Sequence, residues 1–148
     1  MWASSEAAII ARLRARLPAD VHVGSMDDTN AVSEMRQRAP AVWVIYDGIR
    51  PGESANNSKS QQVIQEWYAV VTTRSAKGNG SNSTARDAAS ALCEQVIVSL
   101  IGHHLGSGKY LRLGESPGPE YDAGYCIVPI AFTCAAIFSA IPLPNTSS

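Results

Sequence analysis

Apolar residues in the N-terminal segment recur at helical spacing. Ile9, Leu13 and Leu17 follow one another at intervals of four residues, which places them on one face of a helix. Pro18 comes next and cannot continue that helix. The pattern therefore predicts a first amphipathic helix over residues 5–17.

A second helix is predicted between Thr84 and Gly102. Thr84 and Asp87 have the spacing of a capping box at a helix start, and Gly102 is a typical residue just past a helix end. The apolar positions between them form a stripe that is too wide for a helix lying alone on the surface. We therefore expect this helix to pack against a sheet.

Three longer segments have the composition of strands. Residues 40–46 are apolar on both strand faces, which predicts a central strand or one whose second face is covered by a partner. Residues 62–74 alternate between two faces, and residues 124–139 form a final strand in which Pro129 marks an edge or a bulge. Shorter strands are predicted over 21–23 and 110–113.

Polar segments separate these elements. Residues 24–38 predict a loop with a short helix, and residues 75–83 predict a mobile connection. Residues 47–61 predict a loop far longer than the usual hairpin connection of about two to five residues. Long ordered loops in small domains are often functional, so we expect contacts with other molecules from the segments 47–61 and 75–83.

The order of elements is helix, strand, short helix, strand, strand, helix, strand, strand. Neighbouring strands can pair as antiparallel hairpins, and the two main helices can cover one face of the sheet. This predicts an α+β fold with a mainly antiparallel sheet of about four or five strands and two main helices on one face. We expect a single domain over residues 1–141 and a C-terminal tail over residues 142–148.

Composition limits the functional classes. The 148 residues carry a formal net charge of −1, which argues against a strongly basic nucleic-acid-binding protein. Charged residues make up 17% of the chain, a low share that leaves weakly polar surface for partners to cover. The three cysteines have no metal-ligand spacing, so we expect reduced thiols in the core.

Signals for export and for membrane insertion are weak. The N-terminus lacks the basic region of a secretory signal, and arginines interrupt its apolar positions, so we expect the protein to remain where it is synthesised. Residues 125–141 are mostly apolar, but they fall short of the roughly 20 residues of a spanning helix and contain Pro129 and several β-branched residues. We expect a buried strand there and no membrane partner.

No spacing in the chain indicates catalysis. The segment 102–110 resembles a phosphate-binding loop, but five residues rather than four separate its first glycine from the Gly-Lys pair. In addition, a helix leads into a strand there, whereas a phosphate-binding loop connects a strand to a helix. His103 and His104 are adjacent, so their side chains diverge, and no neighbouring residue completes a metal site. The sequence therefore predicts no catalytic residue, no metal and no cofactor.

Basic and amide side chains in the predicted loops are the candidate contact residues. Their spacing is not specific and favours solvated loop charges, but assembly contacts or proximity to DNA stay open as the alternative. The candidates are Arg50, Asn56, Lys59, Arg74 and Lys77.

Three segments in chain order carry a family resemblance. They cover residues 39–46, then 67–74 with 85–87 behind it, then 119–125 leading to 129–132. Together they resemble the tail terminator proteins of long-tailed bacteriophages, especially the Mu-like prophage tail proteins with a lambda-type terminator fold. The resemblance extends from the first helix to the last strand.

This resemblance implies a structural protein without enzymatic activity. Such a protein forms a homo-oligomer, a hexameric ring on the last ring of the tail tube, where it stops tube polymerisation. The implied partners are the tail tube protein and a neck or head-completion protein, with DNA passing through the lumen without specific binding. The implied location is the head-proximal end of the virion tail, after assembly in the host cytoplasm.

Two alternatives stay open. Another head-tail joining protein, such as a neck or stopper protein, has a size similar to that of a terminator and also forms rings, but it binds the portal rather than tube ends. A small-molecule-binding or enzymatic α+β domain has a deep pocket with convergent polar groups and a perturbed acid or base. Binding to tube ends separates a terminator from the first alternative, and stabilisation by a ligand would support the second.

Overall fold

The computed structural model describes residues 2–25, 38–75, 83–106 and 109–142. The described residues contain two helices, a mixed six-stranded sheet and a small two-stranded sheet. The helices are α1 (Trp2–Arg16) and α2 (Ser83–Leu100). The strands are β1 (His22–Ser25), β2 (Ala41–Ala55), β3 (Ser60–Arg74), β4 (His104–Gly106), β5 (Lys109–Tyr110), β6 (Arg112–Leu113), β7 (Glu120–Asp122) and β8 (Tyr125–Ser139).

The larger sheet has the strand order β1-β2-β3-β8-β6, and β7 pairs with another part of β8. β1 runs parallel to β2, whereas the other pairs are antiparallel. β3 pairs with β8 along its whole length without a register shift, from Ser60 opposite Ser139 to Arg74 opposite Tyr125. The α+β class and the mainly antiparallel sheet are confirmed, with six strands and one parallel pair.

One face of the sheet packs against both helices. Ile9 and Leu13 from α1, Val96 and Leu100 from α2, and Trp67 from β3 are each at most 2% exposed and belong to one apolar cluster. The stripes predicted from helical spacing are the ones that become buried. The prediction of two main helices on one face is therefore confirmed.

The opposite face of the sheet carries a smaller apolar cluster. Ala41, Trp43 and Val70 are buried there. Over residues 41–44 and 69–72, both faces of the sheet are consequently buried. The predictions of a central strand over 40–46 and of a two-sided strand over 62–74 are confirmed.

The predicted long loop over residues 47–61 is wrong. β2 continues to Ala55, and only a short turn separates it from β3. Gly48 and Pro51 suggested a loop because they disfavour regular strands, but here they lie beside two register shifts, between Tyr46 and Gly48 and between Pro51 and Ser54. An edge strand tolerates bulges and proline because one side of its backbone needs no partner in the sheet.

Other boundaries differ in smaller ways. The single strand predicted over 110–113 is divided, because β5 pairs with β4 and β6 pairs with β8, with buried Leu111 between them. Helix α2 begins at Ser83, so Thr84 lies in its first turn rather than at the predicted cap. Most of the two predicted polar segments, residues 26–37 and 76–82, lies outside the described residues, as do residues 143–148.

The C-terminal apolar run is a strand. Residues 125–139 form β8, as the β-branched residues and Pro129 indicated. Pro129 lies opposite Val70 on β3, between the parts of β8 that pair with β7 and with β6. Within the described ranges, neither helix combines the length and the apolar character needed to cross a membrane.

Candidate assembly surface

Strands β2, β3 and β8 continue beyond the helix-covered part of the sheet as a three-stranded arm. We define the arm as residues 47–55, 60–66 and 133–139 together with the turn 56–59. The described residues outside the arm form the body, apart from residues 140–142, which follow β8. β1 pairs with β2 only at residues 41–44, so it ends before the arm begins.

The tip of the arm is a tight turn. Asn56, Asn57 and Ser58 have positive φ angles of 54, 55 and 66°, a conformation that asparagine adopts more readily than most residues. The Lys59 N–H donates to the Asn56 carbonyl at 3.0 Å, and the Lys59 carbonyl accepts a hydrogen bond from the Ala140 N–H at 2.6 Å. The turn is therefore tied both to itself and to the end of β8.

Side chains from β3 stabilise the second irregularity in β2. The Gln61 amide nitrogen donates to the Gly52 carbonyl at 3.1 Å, and the Gln62 side-chain oxygen accepts a hydrogen bond from the Glu53 N–H at 3.4 Å. A Cβ atom at position 52 would overlap the Gln62 side chain, so glycine permits this close approach. The bulge is a specific structure rather than a frayed strand end.

Arg50 lies on the arm beside acidic groups. Its Nε is 2.7 Å from Glu66 Oε1, and the two side chains are 57% and 33% exposed, so solvent screens the pair. The pair borders a depression of about 420 Å³ that Asp47 and Glu115 also line. Three carboxylates against one guanidinium make this region unsuited to binding a DNA phosphate.

The five candidate contact residues do not form one site. Arg50, Asn56 and Lys59 lie on the arm, but on β2 and the tip turn instead of the expected loop. Arg74 ends β3 at the opposite end, roughly 45 Å from the tip along a strand of that length. Lys77 lies outside the described residues.

The arm also exposes apolar side chains that the sequence analysis did not select. Their exposed fractions are 54% for Ile49, 74% for Ile137, 40% for Phe138 and 90% for Ile141, which follows the arm. Ile137 and Phe138 point to opposite faces, because successive strand residues alternate. In the sequence, the signal for this exposed apolar surface was the run without charged residues over 125–141. This run is longer than the part of β8 that the body covers.

A cavity of about 450 Å³ lies between the C-terminal parts of α1 and α2, and Arg12, Arg16 and Val98 are among its lining residues. The Arg12 Nε donates to the Ser99 carbonyl at 3.1 Å. A cation that binds a carbonyl at the end of a helix stabilises that helix end. Arg12 therefore has a structural role in this cavity.

The chemistry of the remaining titratable groups is that of a core. Burial, followed by the electrostatic effect of Cys126, raises the pKa of the Cys93 thiol to about 11. Burial also raises the pKa of Cys126 and of Cys134, and all three thiols are free. Because the thiolate is the reactive form, these cysteines are protonated and unreactive near neutral pH.

Within the described residues, His103 and His104 do not belong to a metal-binding site. Burial, together with the nearby charges of Arg12 and His104, lowers the pKa of His103, which favours its neutral form. Across residues 2–25, 38–75, 83–106 and 109–142, no three His, Cys, Asp or Glu side chains are placed to hold a metal ion.

The fold and the arm define an α+β protein whose three longest strands continue past the part of the sheet that pairs with β1. The family model for the phage tail terminator protein matches residues 3–142, which include the body and the arm, and the chain belongs to this family. The family is one of structural proteins, and this chain is a component of a phage tail. A search of curated proteins finds no match.

Proposed function

We propose that six copies of this chain form a ring on the head-proximal end of the tail tube. The ring stops tube polymerisation and offers a binding surface to the neck or head-completion protein. Residues 1–141 act as one domain, residues 142–148 as its tail, and the protein has no enzymatic activity and uses no cofactor. It assembles in the host cytoplasm and becomes part of the virion.

The net charge is compatible with a ring around DNA, as it is with most other functions. A strongly basic lumen would hold DNA through the release of counterions, and the chain has a formal charge of only −1. In the proposed ring, DNA passes through the lumen without specific binding.

The observation that carries the proposal is the exposed apolar surface of the arm. Ile49, Ile137 and Phe138 are 40–74% exposed on a segment whose backbone is held in place by three-stranded pairing. Burying one such side chain completely contributes about 1.5–3 kcal/mol. Contact with neighbouring copies or with the tube removes these side chains from water, as an assembly protein requires.

Native mass spectrometry over a concentration series tests the proposal, with the purified protein alone and with polymerised tail tube. We expect a hexamer, or a monomer that caps tube ends in negative-stain images. A protein that stays monomeric at every concentration and does not bind tubes would contradict the proposal. Binding to the portal rather than to tube ends would identify a neck or stopper protein instead.

Two serine variants locate the surface. Ile137→Ser removes an apolar side chain from the arm, and Val98→Ser removes one that is 65% exposed on α2. We expect weaker ring formation or tube capping from the first variant only, measured by native mass spectrometry and imaging. Equal effects of the two substitutions would mean that the arm is not the assembly surface.

The polar candidates on the arm are also proposed contacts. We expect the double substitution of Arg50 and Lys59 by alanine to weaken ring formation or capping while the circular dichroism spectrum stays unchanged. Arg74 is a proposed contact of a separate region, since it lies at the far end of β3, and Lys77 also stays a proposed contact. Unchanged capping by the Arg50 and Lys59 variant would remove both residues from the interface.

A further inference from the structure

The depression beside Arg50 lies on the face of the sheet that is opposite the helices, where the arm begins. Trp67 belongs to the helix-covered cluster, so its neighbours Glu66 and Tyr68 point to the other face. Both of these side chains line the depression, which has a volume of about 420 Å³, and residues 114–115 after β6 form another part of its wall. The depression is therefore a concave surface on the side of the sheet away from α1 and α2.

The lining of this depression contains more acidic than basic groups. Asp47, Glu66 and Glu115 stand against the single cation Arg50, which gives a formal charge of −2, and Arg112 on the neighbouring strand is not one of the lining residues. Arg50 binds Glu66, whereas the exposed carboxylates of Asp47 and Glu115 have no ion pair with any described residue. Like charges around a concave surface focus a field that attracts a cation. We call this surface the acidic depression.

The tip of the arm presents one cation. Lys59 is the only charged residue within the segments 54–62 and 134–142. Its backbone is held by the hydrogen bonds to Asn56 and Ala140. Its side chain is exposed and has no ion pair with a described residue. Lys59 is therefore a positive charge at a defined position, without an acidic partner in the described part of its own chain.

Lys59 cannot reach the acidic depression of its own chain. Glu66 lies seven residues further along the chain, which corresponds to roughly 23 Å on an extended strand. β3 is paired with β8 throughout this distance, so the tip cannot fold back onto the depression. The four-carbon stem of a lysine is much shorter than this separation. The two charged surfaces can therefore meet only between different copies of the chain.

We propose that Lys59 at the arm tip of one copy binds in the acidic depression of a neighbouring copy. The partner is a second copy because one chain supplies both the cation and the carboxylates. The half-buried Tyr68 lines the depression and gives the apolar stem of the lysine a surface to pack against. Two different patches that bind each other join copies head to tail, so each bound copy still offers a patch to the next one. This inference rests on the proposed ring.

Charge reversal on either side tests the contact. One variant is Lys59→Glu, and the other combines Asp47→Lys with Glu115→Lys, which changes the formal charge of the depression from −2 to +2. Because like charges then face each other, we expect each variant to need at least about a tenfold higher concentration for ring formation. Native mass spectrometry over a concentration series measures this. If the wild type assembles only on tubes, capping in negative-stain images replaces it as the readout.

Mixing the two reversed proteins gives the sharpest result. An acidic tip then meets a basic depression in one contact, and a basic tip meets an acidic depression in the next. We expect alternating rings with equal numbers of the two proteins, which six positions allow, although each protein alone is impaired. A mixture that assembles no better than its components would overturn the proposed contact.

Two control variants carry the same changes in net charge at other exposed positions. Arg86→Glu matches Lys59→Glu, and Glu94→Lys combined with Glu120→Lys matches the reversed depression. None of these three control residues lines the depression or belongs to the tip. We expect both controls to form rings as the wild type does. Controls that are impaired as strongly as the reversed proteins would show a general charge effect and would overturn the contact.

Far-UV circular dichroism and a thermal melt establish that each variant is folded. Should the reversed depression unfold, Asp47→Asn combined with Glu115→Gln removes the excess negative charge with little change in side-chain size. We expect weaker ring formation from this variant as well, and wild-type assembly by it would overturn the contact.

The remaining outcomes separate this contact from the proposed function. Rings that form and cap tubes with Lys59→Glu as readily as with the wild type would overturn the contact and leave the terminator role standing. A wild-type chain that stays monomeric and does not bind tubes would overturn both proposals together.

Discussion

β3 passes through both the body and the arm, and its two halves have different surroundings. Ala69, Val71 and Thr72 are at most 1% exposed in the body, whereas residues 60–64 in the arm are partly exposed. Pairing with β2 and β8 continues through both halves. Hydrogen-bonded strands therefore extend past the most deeply buried part of the sheet, and the exposed side chains of the arm remain available for other copies or other proteins.

The largest expected difference in the free energy of unfolding is between substitutions of two phenylalanines of β8. Phe132 is 1% exposed in the body and Phe138 is 40% exposed on the arm, and both point to the same face of the strand. We expect Phe132→Ala to lower the free energy of unfolding by about 3–5 kcal/mol, and Phe138→Ala by about 1 kcal/mol or less. Urea unfolding of the monomer measures both values. Equal losses would mean that the arm contributes to stability as the body does.

A smaller effect is expected from two adjacent threonines in the body. Thr73 Oγ1 donates to the Ala85 carbonyl at 2.6 Å, whereas the buried Thr72 Oγ1 has no partner within the described residues. Thr73→Val should destabilise the protein by about 1 kcal/mol, and Thr72→Val should be neutral or stabilising, because it removes a buried polar group. Urea unfolding under the same conditions compares the two, and the reverse order would contradict this assignment.

A pH-dependent effect is expected from Cys93 in the body. Its pKa rises from 9.0 in the unfolded chain to about 11 in the folded protein, so the folded state holds the proton more tightly. The resulting stability is complete below pH 9 and decreases as the pH rises towards 11. We expect Cys93→Ala to show a smaller loss of Tm than the wild type between pH 8 and pH 10.5, measured in reducing buffer. Parallel Tm curves for the two proteins would refute the effect.

The smallest effect is expected from the ion pair on the arm. Arg50 and Glu66 are close, but both side chains are solvated, so their coupling energy should be about 0.2–1 kcal/mol. A double-mutant cycle with Arg50→Ala and Glu66→Ala, followed by urea unfolding at low and high salt, measures it. A coupling well above this range, or one insensitive to salt, would show that the arm is less solvated than its exposure indicates.

The body was largely predictable because its elements follow local rules. Helical spacing of Ile9 and Leu13 identified α1, and the two-sided apolar pattern of residues 40–46 identified a strand covered on both faces. The arm was not predictable in the same way. Gly48 and Pro51 are breakers by local rules, and only pairing with β3 shows that they belong to a bulged edge strand.

The contact surface illustrates the same limit. Arg50, Asn56 and Lys59 were selected as loop residues, and they do lie together on the arm, although within a strand and a turn. Ile137 and Phe138 were assigned to a strand expected to be buried, but they are exposed because β8 extends beyond the helices. Their exposure depends on where α1 and α2 end relative to the sheet, which local spacing does not specify.

By itself, the sequence determined the α+β class, the two amphipathic helices and the strands of the body, because apolar periodicity is a property of consecutive residues. It also carried the resemblance to phage tail terminators that the family model bears out. Only the tertiary structure decided that residues 47–66 and 133–139 form a three-stranded arm. That arrangement depends on register between strands far apart in the chain, and register is set by pairing rather than by any single segment.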